Sequence, residues 1–236
     1  MFSKSAEIYD AVYLGMGKDY AAEAEKIHAL VKRHKKTRGN LLLDVACGTG
    51  LHIEQLRRDY QVEGLDLDPA MLKIARRRLP GLAFHQADML EFKLRRKFDV
   101  ITCLFSSIGY MKTRARLNQA IANMAAHLRP GGVLVVEPWF TPETWETDGP
   151  HATFVDQPDL KIIRMNLSGL GGKISILNFH YMVGTPKGIN YFSERHELGL
   201  FTHAEYQTAF QRAGLDVRHD REGIYGRGLY IGIKPE

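Results

Sequence analysis

The chain has 236 residues, of which 44% are hydrophobic and 25% are charged, and its formal net charge is +5. This length and composition are typical of one globular domain with a substantial core. No apolar run approaches the roughly twenty residues of a membrane span, and residues 1–10 lack the apolar region of a signal peptide. The basic residues are scattered over predicted helix ends and turns, so the charge does not indicate a nucleic-acid surface. We therefore expect a cytoplasmic protein without membrane contact.

A short apolar run followed by a glycine-containing loop occupies residues 41–50 (LLLDVACGTG). The run is β-prone and bounded by small residues, which predicts a buried parallel strand that enters a tight turn. Gly48 and Gly50 allow the backbone to approach a ligand where a side chain would clash. Asp44, at the end of the strand, can accept hydrogen bonds from a cationic amine. Because the loop lacks the third glycine of the dinucleotide fingerprint and the P-loop lysine, it favours an amino-acid-like nucleoside over a pyrophosphate.

Two further predicted strands also end in acidic residues. Residues 62–67 (VEGLDL) reach Asp66, and residues 82–89 (LAFHQADM) reach Asp88. In nucleotide-binding α/β folds, an acid at the end of the second strand takes the ribose hydroxyls. Asp66 is therefore predicted to bind a ribose, and Asp88 is placed to bond an adenine amino group.

The pattern of elements changes after residue 139. Alternating strand and helix signals up to residue 138 predict a parallel sheet flanked by helices, and Asp68 with Pro69 starts one helix as a capping acid and a first-turn proline. Beyond residue 139, a segment rich in Thr, Pro and acids leads to strands of alternating polarity, which predict an antiparallel insertion. The other predicted elements are a helix at 51–60, a strand at 98–104, a helix at 116–128, a strand at 133–136, insertion strands at 161–165, 174–183 and 190–200, a helix at 203–213, and strands at 215–219 and 228–233.

The domain organisation follows from these elements. We predict a single domain over residues 1–236, with a core at about 1–140 and 201–236 and a substrate-side insertion at about 141–200. Because the insertion falls between the fifth strand and the last helix, we expect it to fold over the strand ends and to form the wall of a substrate pocket.

These motifs resemble those of the class I S-adenosylmethionine-dependent methyltransferases. LLLDVACGTG matches motif I, VEGLDLDPAMLKIARRRLP motif II, QADM the adenine-contacting motif, FDVITCLFSSIGYM motif IV, and LRPGGVLVVEPW the entry into strand five. The resemblance implies an α/β, Rossmann-like, seven-stranded sheet with S-adenosyl-L-methionine over the strand carboxyl ends. The residues it implies for cofactor binding are Asp44, Ala46, Gly48 and Gly50 at the methionine part, Asp66 and Leu67 at the ribose, Asp88 and Met89 at the adenine, and Leu104.

Further segments resemble the sugar N,N-dimethyltransferases, which act on nucleotide-linked aminodeoxy sugars in macrolide and related biosynthesis. These segments are YDAVYLGMGKDYAAEA, FSSIGY, VLVVEPWF and GRGLY, and the resemblance runs from about residue 8 to about residue 233. It implies that Tyr9 and Tyr20 border the methionine end of the cofactor. It also implies that Tyr110 faces the substrate amine as the catalytic residue, and that Arg227 meets the nucleotide diphosphate. By their positions, Trp139, His180 and His196 are candidates to line the substrate pocket.

Tyr110 departs from the pattern of the sugar enzymes, which often have histidine at this position. A phenol with a pKa near 10 is a poor base unless its surroundings perturb it. The sequence therefore leaves open whether any side chain acts as a general base.

The leading hypothesis is an S-adenosylmethionine-dependent enzyme that N-methylates, once or twice, the amino group of a nucleoside-diphosphate deoxy sugar. No N-P-P-Y or D-P-P-Y sequence follows the fourth predicted strand, which argues against exocyclic amines of DNA as substrates. Cys47 and Cys103 are not spaced as metal ligands, so no metal is expected, and a homodimer is compatible with the hypothesis. The alternatives left open are methylation of another small amine or hydroxyl, methylation of RNA or protein, and a non-catalytic cofactor-binding module.

Overall fold

The computed structural model describes residues 2–236, which form two β-sheets and six α-helices. The helices are α1 (Ala6–Gly15), α2 (Tyr20–His34), α3 (Leu51–Leu56), α4 (Pro69–Arg78), α5 (Arg114–Ala126) and α6 (His203–Arg212). The strands are β1 (Leu41–Val45), β2 (Gln61–Asp66), β3 (Phe84–Gln86), β4 (Phe98–Cys103), β5 (Leu128–Val136), β6 (Pro150–Gln157), β7 (Leu160–Gly171), β8 (Ile174–Thr185), β9 (Gly188–Gly199), β10 (Asp216–Asp220) and β11 (Leu229–Ile233). A short 3-10 helix covers Ser107–Met111.

The first sheet has seven strands in the order β10-β11-β5-β4-β1-β2-β3. β1 pairs in parallel with β2 and β4, and β11 runs antiparallel to β5. The Rossmann-like, seven-stranded sheet predicted from the sequence is therefore confirmed, with an antiparallel insertion after the fifth strand. The strand order reverses at β1 and β4, and ligands of open α/β sheets bind beyond the strand carboxyl ends at such a switch point.

The central strands of this sheet are buried on both faces. Every residue of β4 is buried, and Leu42 and Leu43 of β1 have no exposed surface. A parallel strand that is covered by helices on both faces requires such a continuous apolar run, which is why three leucines precede Asp44. The two core layers contain Leu117, Ile121 and Phe210 of α5 and α6 on one face, and Ile27, Val31 and Ile53 of α2 and α3 on the other.

The second sheet is antiparallel, with the strand order β6-β7-β8-β9. Its inner face packs against α1 through a cluster that includes Val12, Ile162 and Phe179. The sequence pattern does not predict β6, because its segment is rich in Thr, Pro and acids. This strand is formed by backbone pairing with β7 along its whole length, and strand formation depends on such neighbours more than on local propensity.

The element boundaries agree with the sequence patterns in some places and differ in others. α4 begins as predicted, because Pro69 is its first residue and the Asp68 carboxylate accepts the Ala70 N–H at 2.9 Å. The helix predicted over 51–60 ends at Leu56, and the strand predicted over 133–136 begins at Leu128. β5 can include a proline because its register against β4 shifts near this point, and prolines within sheets occur at such irregularities. Across residues 2–236, no helix has the length and apolar character needed to cross a membrane.

Candidate active site

A cavity of about 1250 Å³ lies between the carboxyl ends of the first sheet and the inner face of the second. The loops after β1, β2, β3 and β4 line one side, β7, β8 and β9 line the other, and α1 contributes aromatic residues. The residues predicted from the sequence that line this cavity are Tyr9, Ala46, Gly48, Asp66, Leu67, Asp88, Met89, Tyr110, Trp139, His196 and Arg227.

The loop between β1 and α3 turns sharply through three residues with positive φ. Ala46, Gly48 and Gly50 have φ values of 58°, 55° and 84°. A Cβ on Gly48 would meet no heavy atom within 4 Å, whereas one on Gly50 would lie 3.3 Å from Leu79 Cδ1. Gly48 therefore faces the open space of the cavity. Gly50 instead caps the start of α3 and packs against α4, outside the cavity lining.

Asp66 connects two of the loops that border the cavity. Its carboxylate accepts the Gly48 N–H at 2.8 Å and the Asp68 N–H at 2.8 Å. Burial raises the pKa of the Asp66 carboxyl, while these backbone hydrogen bonds act in the opposite direction. Asp88, beyond the end of β3, accepts the Leu90 N–H at 2.9 Å. The two acids thus stand beyond neighbouring strands on the same side of the cavity.

Asp44 lies in the core rather than on the cavity surface. Its side chain is buried and accepts a hydrogen bond from the Thr102 hydroxyl at 2.7 Å. Burial raises the pKa of the Asp44 carboxyl to about 6, although the nearby His52 ring opposes this shift. The sheet therefore holds a carboxylate close to the motif I loop, and in the described part of the chain the Thr102 hydroxyl is its only side-chain donor.

Two other predicted cofactor residues lie outside the cavity lining. Tyr20 begins α2, and its ring lies 4.8 Å from the ring of His52 and 4.7 Å from Lys18 Nζ. Lys18 pairs in turn with Glu23 at 2.6 Å, so Tyr20 belongs to a buried polar cluster. Leu104 is part of the hydrophobic core between the first sheet and α2.

Aromatic rings from α1 and from the segment after β4 form one wall of the cavity. The Tyr9 ring packs 4.6 Å from Tyr13, and Tyr13 packs edge-on 4.8 Å from Phe105. Burial raises the pKa of Tyr9 well above its usual value. Burial also raises the pKa of Tyr13, so both phenols remain neutral at physiological pH.

Tyr110 and His196 meet at the boundary between the two sheets. The Tyr110 hydroxyl oxygen lies 2.7 Å from His196 Nδ1, although the two residues are 86 positions apart in the chain. Burial raises the pKa of Tyr110 well above its usual value and lowers the pKa of His196. Both side chains line the cavity and are neutral near pH 7.

Arg227 lines the cavity among aromatic rings and a buried acid. Its Nη2 donates to Glu137 Oε1 at 2.8 Å, and its guanidinium carbon is 5.7 Å from the Trp139 ring and 5.4 Å from the Phe140 ring. The Trp139 indole N–H donates to Ser175 Oγ at 2.8 Å. Arg227 is therefore held in place by Glu137, and no residue in the described range 2–236 is a hydrogen-bond partner of its buried Nε.

His180 does not reach the cavity, contrary to the sequence prediction. Its exposed side chain bonds to the Tyr191 hydroxyl at 2.7 Å, on the outer face of the second sheet. Successive residues of a strand point to opposite faces, so Phe179 faces the cavity and His180 faces away from it.

Sequence reasoning missed Arg164, a cation on the inner face of the second sheet. Its guanidinium carbon lies 5.3 Å from the Tyr13 ring and 4.9 Å from the Phe179 ring, and it lines the cavity. Within β7, the buried residues Ile162, Arg164 and Asn166 alternate with exposed ones. Arg164 and Asn166 lie on the same face of β7 as the buried Ile162. Two polar residues on the face of a strand that also carries a buried isoleucine were the sequence signal that could have indicated a polar pocket.

The strand order, the glycine loop and the acids at successive strand ends define a class I S-adenosylmethionine-dependent methyltransferase. The model of a family described as a methyltransferase domain matches residues 42–132.

Similarity to individual proteins extends over nearly the whole chain. A protein from Streptomyces venezuelae named dTDP-3-amino-3,4,6-trideoxy-alpha-D-glucopyranose N,N-dimethyltransferase is 45% identical over 97% of both chains. One from Streptomyces fradiae, named dTDP-3-amino-3,6-dideoxy-alpha-D-glucopyranose N,N-dimethyltransferase, is 44% identical over 97% of this chain and 90% of the relative. The chain belongs to this family of amino-sugar N,N-dimethyltransferases.

Solved structures agree with this assignment. The crystal structure of Streptomyces venezuelae DesVI matches with a TM-score of 0.93 and 44% identity over 98% of both chains. The amino pentose methyltransferase CalS10 from Micromonospora echinaspora, solved with S-adenosylmethionine bound, matches with a TM-score of 0.87 and 38% identity over 96% of both chains.

Proposed function

We propose that this protein uses S-adenosylmethionine to N-methylate the amino group of a dTDP-linked aminodeoxy sugar. The observation that carries the proposal is the continuity of the cavity, which joins the Asp66 and Asp88 edge to the pocket around Arg227. An adenosine-containing cofactor suits the acidic edge, and the negatively charged diphosphate of a nucleotide sugar suits the guanidinium end. The names and full-length similarity of the relatives support the same substrate class.

The residues at the acidic edge fit S-adenosylmethionine. A side chain on Gly48 would project into the cavity, so the glycine preserves space for a ligand against the backbone. We propose that Gly48 and Ala46 contact the methionine part, with Tyr9 beside it. Asp66 and Leu67 then contact the ribose, and Asp88 with Met89 the adenine. Asp44 acts on the cationic methionine end through its charge, and Tyr20, Gly50 and Leu104 support the site from outside the cavity.

The bound cofactor supplies an electrophilic methyl group carried on a sulfonium. Transfer to an amine requires the nitrogen to be held in line at near-contact distance, and orientation alone can supply much of the rate. We propose that the aromatic wall of Tyr9, Tyr13 and Phe105 excludes water from the reacting atoms. Tyr110, which lines the same space, contacts the substrate amine and orients its lone pair. Trp139 forms part of the sugar-nucleotide pocket.

Methyl transfer to dTDP-3-amino-3,4,6-trideoxy-alpha-D-glucopyranose tests the proposal directly. The purified chain is incubated with this sugar and S-adenosylmethionine, and products are followed by mass spectrometry. Products with one and then two added methyl groups support the function. A chain that binds S-adenosylmethionine but leaves this sugar and its 3,6-dideoxy counterpart unmodified contradicts it.

Arg227→Gln is expected to raise the KM for the nucleotide sugar about 10-fold or more, with little change in cofactor affinity. A charge-assisted hydrogen bond contributes about 1.5–3 kcal/mol, and a guanidinium pairs with phosphate oxygens better than an amide does. Calorimetry with thymidine diphosphate as the probe measures the same loss without turnover. The control is Arg221→Ala, an exposed arginine outside the cavity. Equal losses of cofactor and thymidine diphosphate binding would show that Arg227 is only structural.

The outer face of the second sheet is the surface on which we propose that a second copy of the chain packs. Phe154, Ile163, Met182 and Tyr191 form one row across its four strands, because each is the register partner of the next. All four side chains are exposed, Phe154 by 67%. A contiguous exposed apolar patch indicates an interaction surface. A two-fold axis through the row would bring the row of one copy into contact with the same row of a second copy.

Met182→Lys is expected to convert such a dimer to a monomer, because it would bury two unpaired charges at the axis. Sedimentation velocity measures the change, and Lys187→Ala, in the exposed turn after β8, is the control. A wild-type chain that sediments as a monomer at all concentrations contradicts the dimer. The cytoplasmic location and the division into core and substrate-side insertion remain predictions.

A further inference from the structure

His196 on β9 is a polar side chain that is almost completely buried. Its side chain is 1% exposed, its Nδ1 contacts the Tyr110 hydroxyl at 2.7 Å, and its Nε2 has no hydrogen-bond partner among residues 2–236. The Phe2 ring packs over the imidazole with the ring centroids 4.1 Å apart. A buried polar atom without a partner costs free energy, so its retention beside the reacting space suggests a chemical role.

The acid nearest to this imidazole is Glu194, on the same strand and face. Glu194 Oε2 lies 3.6 Å from His196 Nε2. The N-terminal segment holds this carboxylate through the Lys4 N–H at 2.7 Å, the Ser5 N–H at 3.1 Å and the Ser5 hydroxyl at 2.7 Å. Burial alone would raise the pKa of Glu194, but His196 and these donors together lower it. Glu194 is therefore a fixed negative charge that faces Nε2.

We propose that His196 receives the proton released in methyl transfer, through the Tyr110 hydroxyl, with Glu194 facing the imidazolium that results. The proposal rests on the function proposed above and adds a positioning residue to it. In the resting state the negative charge of Glu194 favours the proton on Nε2, which leaves Nδ1 to accept the Tyr110 O–H. The oxygen of Tyr110 then keeps its lone pairs for an N–H of the substrate amine.

The proton balance of the step is simple. The amine nitrogen forms its bond to the methyl carbon while the sulfur keeps the electron pair of the bond that breaks. The nitrogen, now positively charged, gives one proton to the Tyr110 oxygen, and Tyr110 gives its hydroxyl proton to His196 Nδ1. The imidazolium returns that proton to water when the product leaves. No oxidant, reductant or metal takes part in this balance.

The charges around His196 are suited to this exchange. Among residues 2–236, Arg164 on β7 and Glu194 on its own strand are charged groups that act on it, and Tyr110 is its titratable neighbour from the 3-10 helix. Burial lowers the pKa of His196 and Arg164 acts in the same direction, whereas Glu194 opposes this shift without reversing it. The imidazole is therefore neutral near pH 7 and able to accept a proton. After burial, Tyr13, Glu194, Tyr181 and Asp66 raise the pKa of Tyr110 further.

The resting arrangement can be measured without substrate or cofactor. In the full chain labelled with ¹⁵N-histidine, we expect the His196 resonances of an imidazole protonated on Nε2 with a hydrogen-bonded Nδ1. His196→Gln assigns these signals by their disappearance. Tyr110→Phe should move the Nδ1 resonance toward that of a nitrogen without a donor. A proton found on Nδ1, or an Nδ1 resonance that Tyr110→Phe leaves unchanged, would overturn the proposal.

The kinetic test uses dTDP-3-amino-3,4,6-trideoxy-alpha-D-glucopyranose with both substrates saturating, so that kcat reports groups in the bound complex. For the wild type, kcat should fall on the acid side with an apparent pKa below the ordinary histidine value of about 6.5. His196→Gln should lower kcat about 10²-fold, the lower range for general acid–base catalysis, and remove that acid limb. Tyr110→Phe should cost a similar factor, and the double variant should be no worse than either single variant.

The control is His34→Gln, at the end of α2 and outside the cavity. An acid limb that persists in His196→Gln, or losses that multiply in the double variant, would contradict the relay. A wild-type chain that shows the expected tautomer but does not methylate the sugar would contradict the proposed function alone, because the tautomer is measured without substrate.

Discussion

Asp66→Ala is expected to weaken S-adenosylmethionine binding by at least about 10²-fold. The carboxylate is proposed to accept both ribose hydroxyls, and hydrogen bonds to a charged group contribute about 1.5–3 kcal/mol each. The substitution also removes the acceptor for the Gly48 and Asp68 N–H groups, so the loop that borders the cofactor loses its support as well. Isothermal titration calorimetry of the purified variant measures the affinity.

Two further variants separate the ribose contact from the loop. Asp66→Asn keeps one acceptor oxygen in nearly the same shape and should lose less affinity than Asp66→Ala. Asp216→Asn, at an exposed position of β10, is the control and should bind as the wild type does. Circular dichroism checks that each variant is folded. If folded Asp66→Ala bound S-adenosylmethionine with wild-type affinity, Asp66 would not be part of the cofactor site.

Asp44→Asn should raise the thermal midpoint of unfolding at pH 7.5 and weaken cofactor binding about 10-fold. Burial holds the pKa of Asp44 at about 6 in the folded chain, against an ordinary value of 3.8. At 1.36 kcal/mol per pKa unit, keeping this carboxylate ionised costs up to about 3 kcal/mol of stability at pH 7.5. Asparagine removes that cost and can still accept the Thr102 hydroxyl. It also removes the negative charge proposed to attract the cationic methionine end.

The pH dependence of stability supplies a second measurement for Asp44. Because the pKa is higher in the folded chain, the folded state binds more protons than the unfolded state between about pH 4 and pH 6. The contribution of Asp44 to the free energy of unfolding therefore falls as pH rises through this window. The stability gained by Asp44→Asn should be small at pH 4 and reach its full value near pH 7.

Thr102→Val is expected to change the thermal midpoint in the opposite direction to Asp44→Asn. It removes the donor to Asp44 with little change in shape, and should lower the thermal midpoint at pH 7.5. If Asp44→Asn destabilised the chain by as much as Thr102→Val, the buried carboxylate would contribute to stability. It would then not be a destabilising group that is kept for function.

The parts of the site that follow local rules could be predicted from the sequence. Asp66 and Asp88 follow short apolar runs, and parallel strands bring their carboxyl ends to one edge, so their common position was predictable. Gly48 was predictable because a positive φ against open space favours glycine. Asp44 was assigned to the correct strand end, but the pattern could not show that its side chain is covered. The sequence pattern placed Gly50 with Gly48 beside the ligand, and only the packing of Gly50 against α4 shows that its role is different.

Contacts between segments that are far apart in the chain could not be predicted from the sequence. On β8, Phe179 and Tyr181 face inward while His180 and Met182 face outward. Both parities contain apolar residues, so alternation alone could not select the buried face, and His180 was placed on the wrong one. The contact between Tyr110 and His196 joins a 3-10 helix to another sheet. No local spacing encodes it.

The alternation along β7 and β8 also has a practical meaning for protein engineering. A library intended to change the accepted sugar should vary the inward-facing parity, as at Arg164, Asn166 and Phe179, since these side chains line the cavity. Randomising their outward neighbours would enlarge the library while altering only the opposite surface of the sheet. Directed evolution of substrate range and of the proposed dimer surface can therefore proceed on interleaved positions of the same strands, with little interference between the two goals.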